Sequence, residues 1–336
     1  MALSISKLSI LAILFLATWG SASRQLPKPS MMERHERWML EYGRTYEGEE
    51  EKAARFAIFK KNVEFIEAFN AEGTRPYKVG INAFADQTNE EFTAARNGLR
   101  VPEVCEATPF RYGNATALPS TMDWRKEGAV TPVKDQGQCG SCWAFSAVAA
   151  TEGINQISTS KLISLSEQEI VDCDRTSQDQ GCGGGYMEDA FSFIIKNKGI
   201  AAESTYPYTG SDDTCNKSEE SPEAAKISSY EKVPANSESA LLKAVAHQPV
   251  SVSIDASGMA FQFYSSGVFT GDCGTDLDHG VTAVGYGEDQ HGTKFWLVKN
   301  SWGTSWGEEG YIRMERDVAA KGGLCGIAMD SSYPVA

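Results

Sequence analysis

The cysteines constrain this 336-residue chain more than any other feature. They follow an N-terminal apolar run, LSILAILFLATWG, which stands between Lys7 and a group of small residues. Such a run is typical of a secretory signal peptide, residues 1–22, and the secretory route favours disulfides. Seven of the eight cysteines lie after residue 118, and an odd number leaves one thiol unpaired. A free thiol in a secreted protein needs a reason, so the count predicts a disulfide-linked body with one reactive cysteine.

Composition divides the chain after the signal into two parts. Residues 23–117 are rich in Glu, Lys and Arg, and their last part is a proline-containing loop that includes Cys105. Residues 118–336 are rich in Gly, Cys, Trp and Tyr, which is typical of a compact body. An apolar stripe at spacings of three and four predicts helical structure in the first part: Phe56, Phe59, Val63 and Ile66.

The charge is distributed unevenly between these parts. Acidic and basic side chains are equal in number in residues 1–117, so the whole net charge of −14 belongs to residues 118–336. This division indicates a separate, removable first unit, although a charged linker would show the same count. The negative charge argues against a nucleic-acid partner, because phosphate backbones require a basic surface. No other long apolar run exists, so no membrane contact is expected after signal cleavage; an uncleaved anchor helix is the alternative.

The body combines a helical half, about 118–230, with a β half, about 231–336. Three segments predict helices: SCWAFSAVAATEGINQI with Ser141 near its N-cap, SLSEQEIVDC capped by Ser164 or Ser166, and MEDAFSFIIKNKG. PVSVSID, HGVTAVGYG and TKFWLVKNSWG predict strands, and GEDQHGTK predicts a hairpin turn. The expected fold class is α+β with a cleft between the halves.

The segment DQGQCGSCWAF contains Cys139 and Cys142 with two residues between them. A zinc site would need a second close pair, and the spacing of Cys173 and Cys182 is poor for that purpose. A redox couple would need a strand–helix–strand setting that the flanking sequence does not predict. Cys142 begins the predicted helix 142–157, where unpaired N–H groups and the helix dipole favour a thiolate. We therefore favour Cys142 as a nucleophile.

A thiolate nucleophile needs a basic partner, and the body contains three histidines. His291 lies in the polar turn, and His247 ends a predicted helix, so both are expected to face solvent. His279 starts a predicted strand beside Gly280, where open backbone suits a cleft. A structural histidine is the alternative, but His279 is the best-placed partner for the thiol.

Three separated motifs, QGQCGSCWAFS, LDHGVTAVGYG and KNSWGTSWGEEGY, resemble those of the papain-like cysteine proteases. Residues 23–117 resemble that family's inhibitory prosegment of the I29 type, and KLISLSEQE and KAVAHQPVSV are most similar to plant, senescence-associated members. The resemblance implies a helical domain and a β-barrel-like domain with the active-site cleft between them. Two prosegment motifs carry the likeness, first Glu51, Arg55, Phe59, Asn62, Ile66 and Asn70, then Gly80, Asn82, Phe84 and Asp86.

The resemblance also implies catalytic roles. Cys142 is the nucleophile, and His279 forms the imidazolium partner that later protonates the leaving amine. Asn300 orients the imidazole, and Trp302 shields their hydrogen bond from water. The side chain of Gln136, together with the Cys142 backbone N–H, donates to the oxyanion. Neither a metal nor a cofactor is implied.

Further roles concern substrate binding and disulfides. Glycines 183–185 would give the substrate backbone close access. Asp330 is expected at the floor of the second-subsite pocket, where a carboxylate could accept Arg or Lys; the alternative is that it faces water. The substrate-binding residues implied are Gly184, Gly185, Tyr186, Met187, Ser253, Leu277, Gly280 and Asp330. The disulfides implied are Cys139–Cys182, Cys173–Cys215 and Cys273–Cys325.

Partners and destination follow from the same resemblance. The prosegment would lie reversed along the cleft as an intramolecular inhibitor, and acid would loosen it, in part through Asp86. Protein substrates and cystatin-type inhibitors are the expected partners of a monomer. Asn114 and Asn216 are glycosylation candidates, and the destination is a vacuole, a lysosome-like compartment or the extracellular space. Alternatives are a peptide ligase, a non-catalytic storage or binding protein, and a disulfide-rich secreted module.

Overall fold

The computed structural model describes residues 29–102, 108–176, 178–216, 224–271 and 273–336. The predicted signal peptide and Cys105 lie outside the described residues. Eight α-helices are present among the described residues: α1 (Met31–Glu41), α2 (Glu49–Glu72), α3 (Asn89–Arg96), α4 (Cys142–Thr159), α5 (Glu167–Cys173), α6 (Met187–Lys196), α7 (Glu238–Val245) and α8 (Met259–Gln262). Within this part of the chain, no helix is both long and apolar enough to span a bilayer.

The described strands form one mixed sheet, and three short 3₁₀ segments stand outside it. The strands are β1 (Tyr77–Val79), β2 (Met122–Asp123), β3 (Ser229–Lys232), β4 (Val250–Ile254), β5 (Tyr264–Phe269), β6 (His279–Glu288), β7 (Lys294–Lys299), β8 (Tyr311–Glu315) and β9 (Ser331–Val335). The 3₁₀ segments are Arg111–Asn114, Gly181–Gly183 and Leu324–Gly326. The predicted hairpin is confirmed, because β6 and β7 pair directly across the turn.

The sheet runs in the order β1-β5-β8-β7-β6-β4-β9-β3, with β2 paired to β6. Its two end strands do not pair with each other among the described residues, so the barrel-like description is corrected to an open sheet. Met122 pairs with Tyr286, which places the start of the predicted helical half on the sheet. The α+β class and the cleft-forming arrangement of the two halves are retained.

Of two serines at helix N-termini, one caps its helix through its side chain and the other does not. Ser166, one of two predicted caps, accepts a hydrogen bond from the Glu169 N–H at the start of α5. Ser141 stands at the N-cap position of α4, but its side chain makes no capping bond. Its hydroxyl instead lies 2.7 Å from the hydroxyl of Tyr208. The predicted position is therefore confirmed, while the serine hydroxyl bonds to a tertiary partner and not to the helix start.

Two hydrophobic cores lie on either side of the cleft. One is built from α4, α5 and α6, around buried residues such as Trp143 and Phe191. The other surrounds the sheet and includes Phe261 and Trp302. Phe59 and Phe92 of the prosegment belong to this second core. The prosegment therefore packs on the β half, and the two share one apolar interior.

Asparagine side chains and an added strand position the prosegment. In α2, the Asn62 amide donates to the Ala85 and Gln87 carbonyls, and the Asn70 amide donates to the Val79 carbonyl. These bonds hold the segment containing the second motif against the helix. β1 then adds antiparallel to β5 at the edge of the sheet, and the Asn82 side chain donates to the Gln262 carbonyl. The motif residues thus bind backbone groups that would otherwise lack partners.

The described cysteines form three disulfides, which are the pairs that the resemblance implies: Cys139–Cys182, Cys173–Cys215 and Cys273–Cys325. The first ties the turn before α4 to the glycine segment Gly181–Gly183. Both glycosylation candidates, Asn114 and Asn216, are exposed. Ser218, the third residue of the second sequon, lies outside the described residues.

Candidate active site

Cys142 is the one free cysteine among the described residues, and its side chain is fully buried at the first position of α4. Cys139 is bonded to Cys182, so the two cysteines of the Cys-x-x-Cys segment are not a redox couple. No group of three potential ligand side chains that could hold a metal ion occurs in the described ranges. The backbone N–H groups of Gly280 and Gly98 act to lower the pKa of the Cys142 thiol.

His279, the neighbour of Gly280, begins β6 and pairs with Ile254 on β4. Its Nε2 lies 2.9 Å from the Asn300 side-chain oxygen, which also accepts from the Ser301 N–H at 2.8 Å. Because that oxygen is an acceptor for both, Nε2 carries the hydrogen. Nδ1 has no hydrogen-bond partner among the described residues. His279 is therefore oriented by Asn300, with its second nitrogen left for another group.

Trp302 covers this histidine. The two rings stack with centroids 4.6 Å apart, and Trp302 is almost fully buried among prosegment and body aromatics. The other two body histidines are elsewhere: His247 stacks on Tyr112 at the surface, and His291 is exposed in the β6–β7 turn. Of the three, His279 is the one next to Gly280, where an added Cβ would lie 3.3 Å from the Cys142 carbonyl oxygen.

Gln136 is fully buried, and both the oxygen and the nitrogen of its side-chain amide form hydrogen bonds. Its oxygen accepts from the Ser301 hydroxyl at 2.6 Å, while its nitrogen donates to the Cys139 carbonyl at 2.7 Å. The same nitrogen donates to the Arg96 carbonyl of the prosegment at 3.0 Å. Sequence reasoning missed Ser301 and Arg96, although Ser301 directly follows Asn300 within its motif and could have been noticed there.

The prosegment backbone occupies the cleft directly above the thiol. Gly185 donates to the Gly98 carbonyl and accepts from the Arg100 N–H, both at 2.9 Å, which makes a parallel bridge centred on Leu99. A Cβ added to Gly98 would lie 1.9 Å from the Gly140 carbonyl oxygen. Only glycine therefore allows the backbone to approach the start of α4 this closely.

Burial sets the protonation state of the pair in this proform. It raises the pKa of the Cys142 thiol to about 11, although hydrogen bonds from the backbone N–H groups of Gly280, Gly98 and Trp143 act in the opposite direction. It lowers the pKa of His279 to about 4, against the bond to Asn300. At these pKa values the thiol and the imidazole are both neutral at pH 7. The favourable effect of the helix start on a thiolate is outweighed here by desolvation.

The residues expected at the second subsite lie together. Asp330 accepts from the Tyr186 hydroxyl at 2.8 Å and from the Ser253 hydroxyl at 2.7 Å. It also lies 3.5 Å from the Lys232 ammonium and is only 7% exposed, so the alternative that it faces water is wrong. Leu277 and Asp330 line one cavity, and Ser253 pairs with Gly280 across β4 and β6.

Met187 and Gly184 are the remaining substrate-binding candidates. Met187 is buried at the start of α6, and its sulfur would lie 3.0 Å from a Cβ on Gly280. Gly184 has a φ of 111°, and a Cβ there would lie 2.4 Å from the Gly98 carbonyl oxygen. Both glycine positions therefore permit close approach of another backbone to the cleft wall.

Comparison with known proteins supports one family. Residues 118–335 match the papain family cysteine proteases, and residues 35–92 match the cathepsin propeptide inhibitor domain (I29). The chain belongs to the papain family of cysteine proteases. This papain-family protease is similar over most of its length to plant enzymes and to a solved precursor, which confirms the predicted fold class and the prediction of a cysteine endopeptidase with its prosegment.

Three comparisons illustrate the likeness. The chain is 58% identical to the senescence-specific cysteine protease SAG39 of Oryza sativa subsp. indica over 333 residues, which cover 98% of this chain and 97% of the relative. It is 54% identical to the senescence-specific cysteine protease SAG12 of Arabidopsis thaliana over 313 residues, with 90% of each covered. The recombinant stem bromelain precursor superposes with a TM-score of 0.84 at 49% identity, covering 91% of this chain and 98% of that one.

Proposed function

We propose that this papain-family protease is made as a zymogen whose mature part begins near Leu118 and cleaves peptide bonds at Cys142. The observation that carries the proposal is a peptide already held in the cleft. The prosegment backbone is hydrogen-bonded on both sides of Gly185, and its Arg96 carbonyl accepts a hydrogen bond from Gln136. A substrate chain can use the same backbone and amide donors once the prosegment leaves.

The reaction proceeds in two steps on the proposed residues. Removal of the prosegment admits water, so the Cys142 proton can pass to His279 and leave a thiolate–imidazolium pair. The sulfur attacks the substrate carbonyl carbon, and the carbonyl oxygen takes the negative charge beside the Gln136 amide and the Cys142 N–H. His279 then protonates the departing amine as the C–N bond breaks, which leaves a thioester. Water hydrolyses the thioester and regenerates the thiol.

Asn300 and Trp302 act on His279 rather than on the substrate. The Asn300 oxygen fixes the tautomer that carries hydrogen on Nε2 and leaves Nδ1, which has no hydrogen-bond partner among the described residues, to take the proton from Cys142. An amide does this without a negative charge that would hold the proton on the ring. Trp302 stacks on the ring and excludes water from the hydrogen bond. Both are positioning residues.

The prosegment inhibits by occupying the cleft in the reversed direction that the family resemblance implies. Its bridge to Gly185 is parallel, and its Gly98 carbonyl takes the Gly185 N–H that a substrate backbone would use. It also keeps the catalytic pair neutral, since burial opposes both charges. Inhibition therefore has a steric and an electrostatic part.

We further propose a secretory route and an acidic destination, with a role in protein breakdown during senescence. The predicted signal, the three disulfides and the exposed Asn114 and Asn216 support the route. Two plant relatives are named senescence-specific cysteine proteases, which supports the process. A vacuole-like compartment and the extracellular space both meet these conditions.

The test is acid activation of the full chain and of its Cys142→Ser variant. The wild-type protein should lose its prosegment, acquire an N-terminus near Leu118 by N-terminal sequencing, and hydrolyse a Phe-Arg peptide reporter. The Cys142→Ser protein should remain full length after the signal and show no hydrolysis. Hydrolysis that persists in Cys142→Ser would contradict the proposal.

A further inference from the structure

Lys232, the last residue of β3, stands at the centre of a buried ionic cluster. Its ammonium lies 2.8 Å from a Glu188 carboxylate oxygen and 3.0 Å from the Tyr186 hydroxyl. It lies 3.5 Å from Asp330, whose side chain is 8% exposed. The Lys232 side chain itself is 13% exposed. No motif in the sequence pointed to this lysine.

The cluster closes one end of a cavity of about 430 Å³. The cavity is largely apolar, and both Lys232 and Asp330 reach its surface, whereas Glu188 does not line it. Its apolar lining includes Val101, Val233, Pro234, Leu277 and Met329.

Val101 connects this cavity to the peptide path. It belongs to the prosegment and follows Leu99, the centre of the bridge to Gly185, by two residues. A side chain of the peptide held in the cleft thus already contributes to the cavity. A substrate that uses the same Gly185 backbone groups would bring one of its own side chains to this place, so the cavity selects substrates.

Asp330 is not available to a basic side chain in this arrangement. One of its oxygens accepts from Tyr186 and faces Lys232, and the other accepts from Ser253. An incoming guanidinium or ammonium would meet Lys232 at the cavity surface, and like charges at close range in a poorly solvated site repel. Glu188 is already paired with Lys232 at 2.8 Å and does not line the cavity.

We propose that Lys232 is a specificity-determining residue that, by pairing with Asp330, makes this cavity take apolar side chains and exclude arginine and lysine. The inference rests on the proposed protease function and adds a selectivity that this function does not require. It also replaces the sequence-based expectation that a carboxylate at this floor accepts basic residues.

The test compares two reporters, Phe-Arg and Arg-Arg, which differ only in the residue expected at the cavity. Acid-activated wild type, Lys232→Met, Lys232→Arg and the double variant Lys232→Met/Asp330→Asn are assayed for kcat and KM. Alkylation of Cys142 counts the competent sites, so that a poorly folded variant is corrected for. Lys232→Arg is the matched control, because it keeps the charge.

Wild type should strongly prefer Phe-Arg, and Lys232→Met should raise relative cleavage of Arg-Arg about 10-fold or more, chiefly through KM. That is the size of one charge-assisted contact, here the one that Asp330 can make with the incoming cation once its 3.5 Å ion pair with Lys232 is removed. Lys232→Arg should keep the wild-type ratio, and the double variant should lose the gain. An unchanged ratio in Lys232→Met, or equal cleavage of both reporters by wild type, would overturn the inference. Failure of wild type to cleave either reporter would instead reject the proposed function itself.

Discussion

Replacing His35 with phenylalanine should make the prosegment more resistant to acid. His35 lies on α1, is 1% exposed and packs against four aromatic rings at centroid distances of 4.9 to 6.1 Å. Its Nε2 has no hydrogen-bond partner among the described residues. The rings belong to Trp38, Tyr46, Phe56 and Phe59. A protonated imidazole in this place would carry a poorly solvated charge.

The direction of the pH effect follows from the pKa of His35. Burial lowers this pKa, the carboxylates of Glu36 and Asp86 partly oppose the shift, and Lys52 adds to it. The stability that the neutral ring contributes is fully present above the unfolded pKa of about 6.5. As pH falls below that value, the unfolded prosegment binds a proton that the folded one does not. Folding is then weakened by at most about 1.4 kcal/mol for each pH unit, until the folded-state pKa is reached.

The assay is hydrogen exchange of the α1 and α2 amides in the full chain between pH 7 and 4, corrected for the intrinsic rate at each pH. The Cys142→Ser background prevents self-cleavage. His35→Phe keeps an aromatic ring without a titrating group, so at one pH unit below 6.5 its opening equilibrium should be up to about 10-fold smaller than that of the parent. His291→Phe, in an exposed turn, is the matched control and should behave as the parent does.

The reasoning would be refuted if His35→Phe and the parent opened with the same pH dependence. Asp86→Asn tests the sequence-based expectation for this residue, whose buried carboxylate accepts from the Tyr46 hydroxyl at 2.9 Å. If Asp86→Asn, and not His35→Phe, reduces the pH dependence of the opening equilibrium, the sequence-based expectation for Asp86 holds. His35 is then not the group that responds to acid. If each of the two variants reduces the pH dependence in part, both residues contribute to it.

Two further predictions concern the cleft. In the acid-activated protein, Gln136→Ala should lower kcat about 100- to 1000-fold, the usual loss for one oxyanion donor, while alkylation still counts one Cys142 per chain; a loss below 10-fold would mean that Gln136 is structural. In the zymogen, Gly98→Ala should displace the prosegment, because the new Cβ would lie 1.9 Å from the Gly140 carbonyl oxygen. Its Cys142 should then be alkylated at pH 7 without acid treatment, whereas Val101→Ala, which needs no such approach, should leave the thiol protected.

The proposed catalytic set could be predicted from the sequence because each member lies in a short local motif. Cys142 begins a helix whose pattern is clear, and Asn300 follows a strand whose end is marked by the turn residues after it. The structure brings Asn300 within 2.9 Å of His279 through the pairing of β6 and β7, which the hairpin pattern predicted. The two motifs that position the prosegment could be predicted for the same reason, because each is short and local.

Contacts between segments that are far apart in the sequence could not be predicted from local motifs. Lys232 meets Asp330 because β3 pairs with β9, where Lys232 stands opposite Ser332. Neither strand carries a signal for that register, and without it Asp330 looks like an unpaired acid. The hydroxyl of Ser141 likewise bonds to the hydroxyl of Tyr208, 67 residues away, and does not cap α4. The open sheet depends on which strands pair at its edges, and alternation within a strand does not specify that.

Alkylation of the acid-activated full-length protein with iodoacetamide, followed by peptide mapping, tests the central claim most directly. The account predicts one modified cysteine per chain, Cys142, with peptidase activity lost in proportion to labelling. His279→Ala should slow that labelling at pH 6 to the rate of an ordinary thiol, because the thiolate loses its partner. Modification at another cysteine without change in activity, or full activity after Cys142 is modified, would contradict the account.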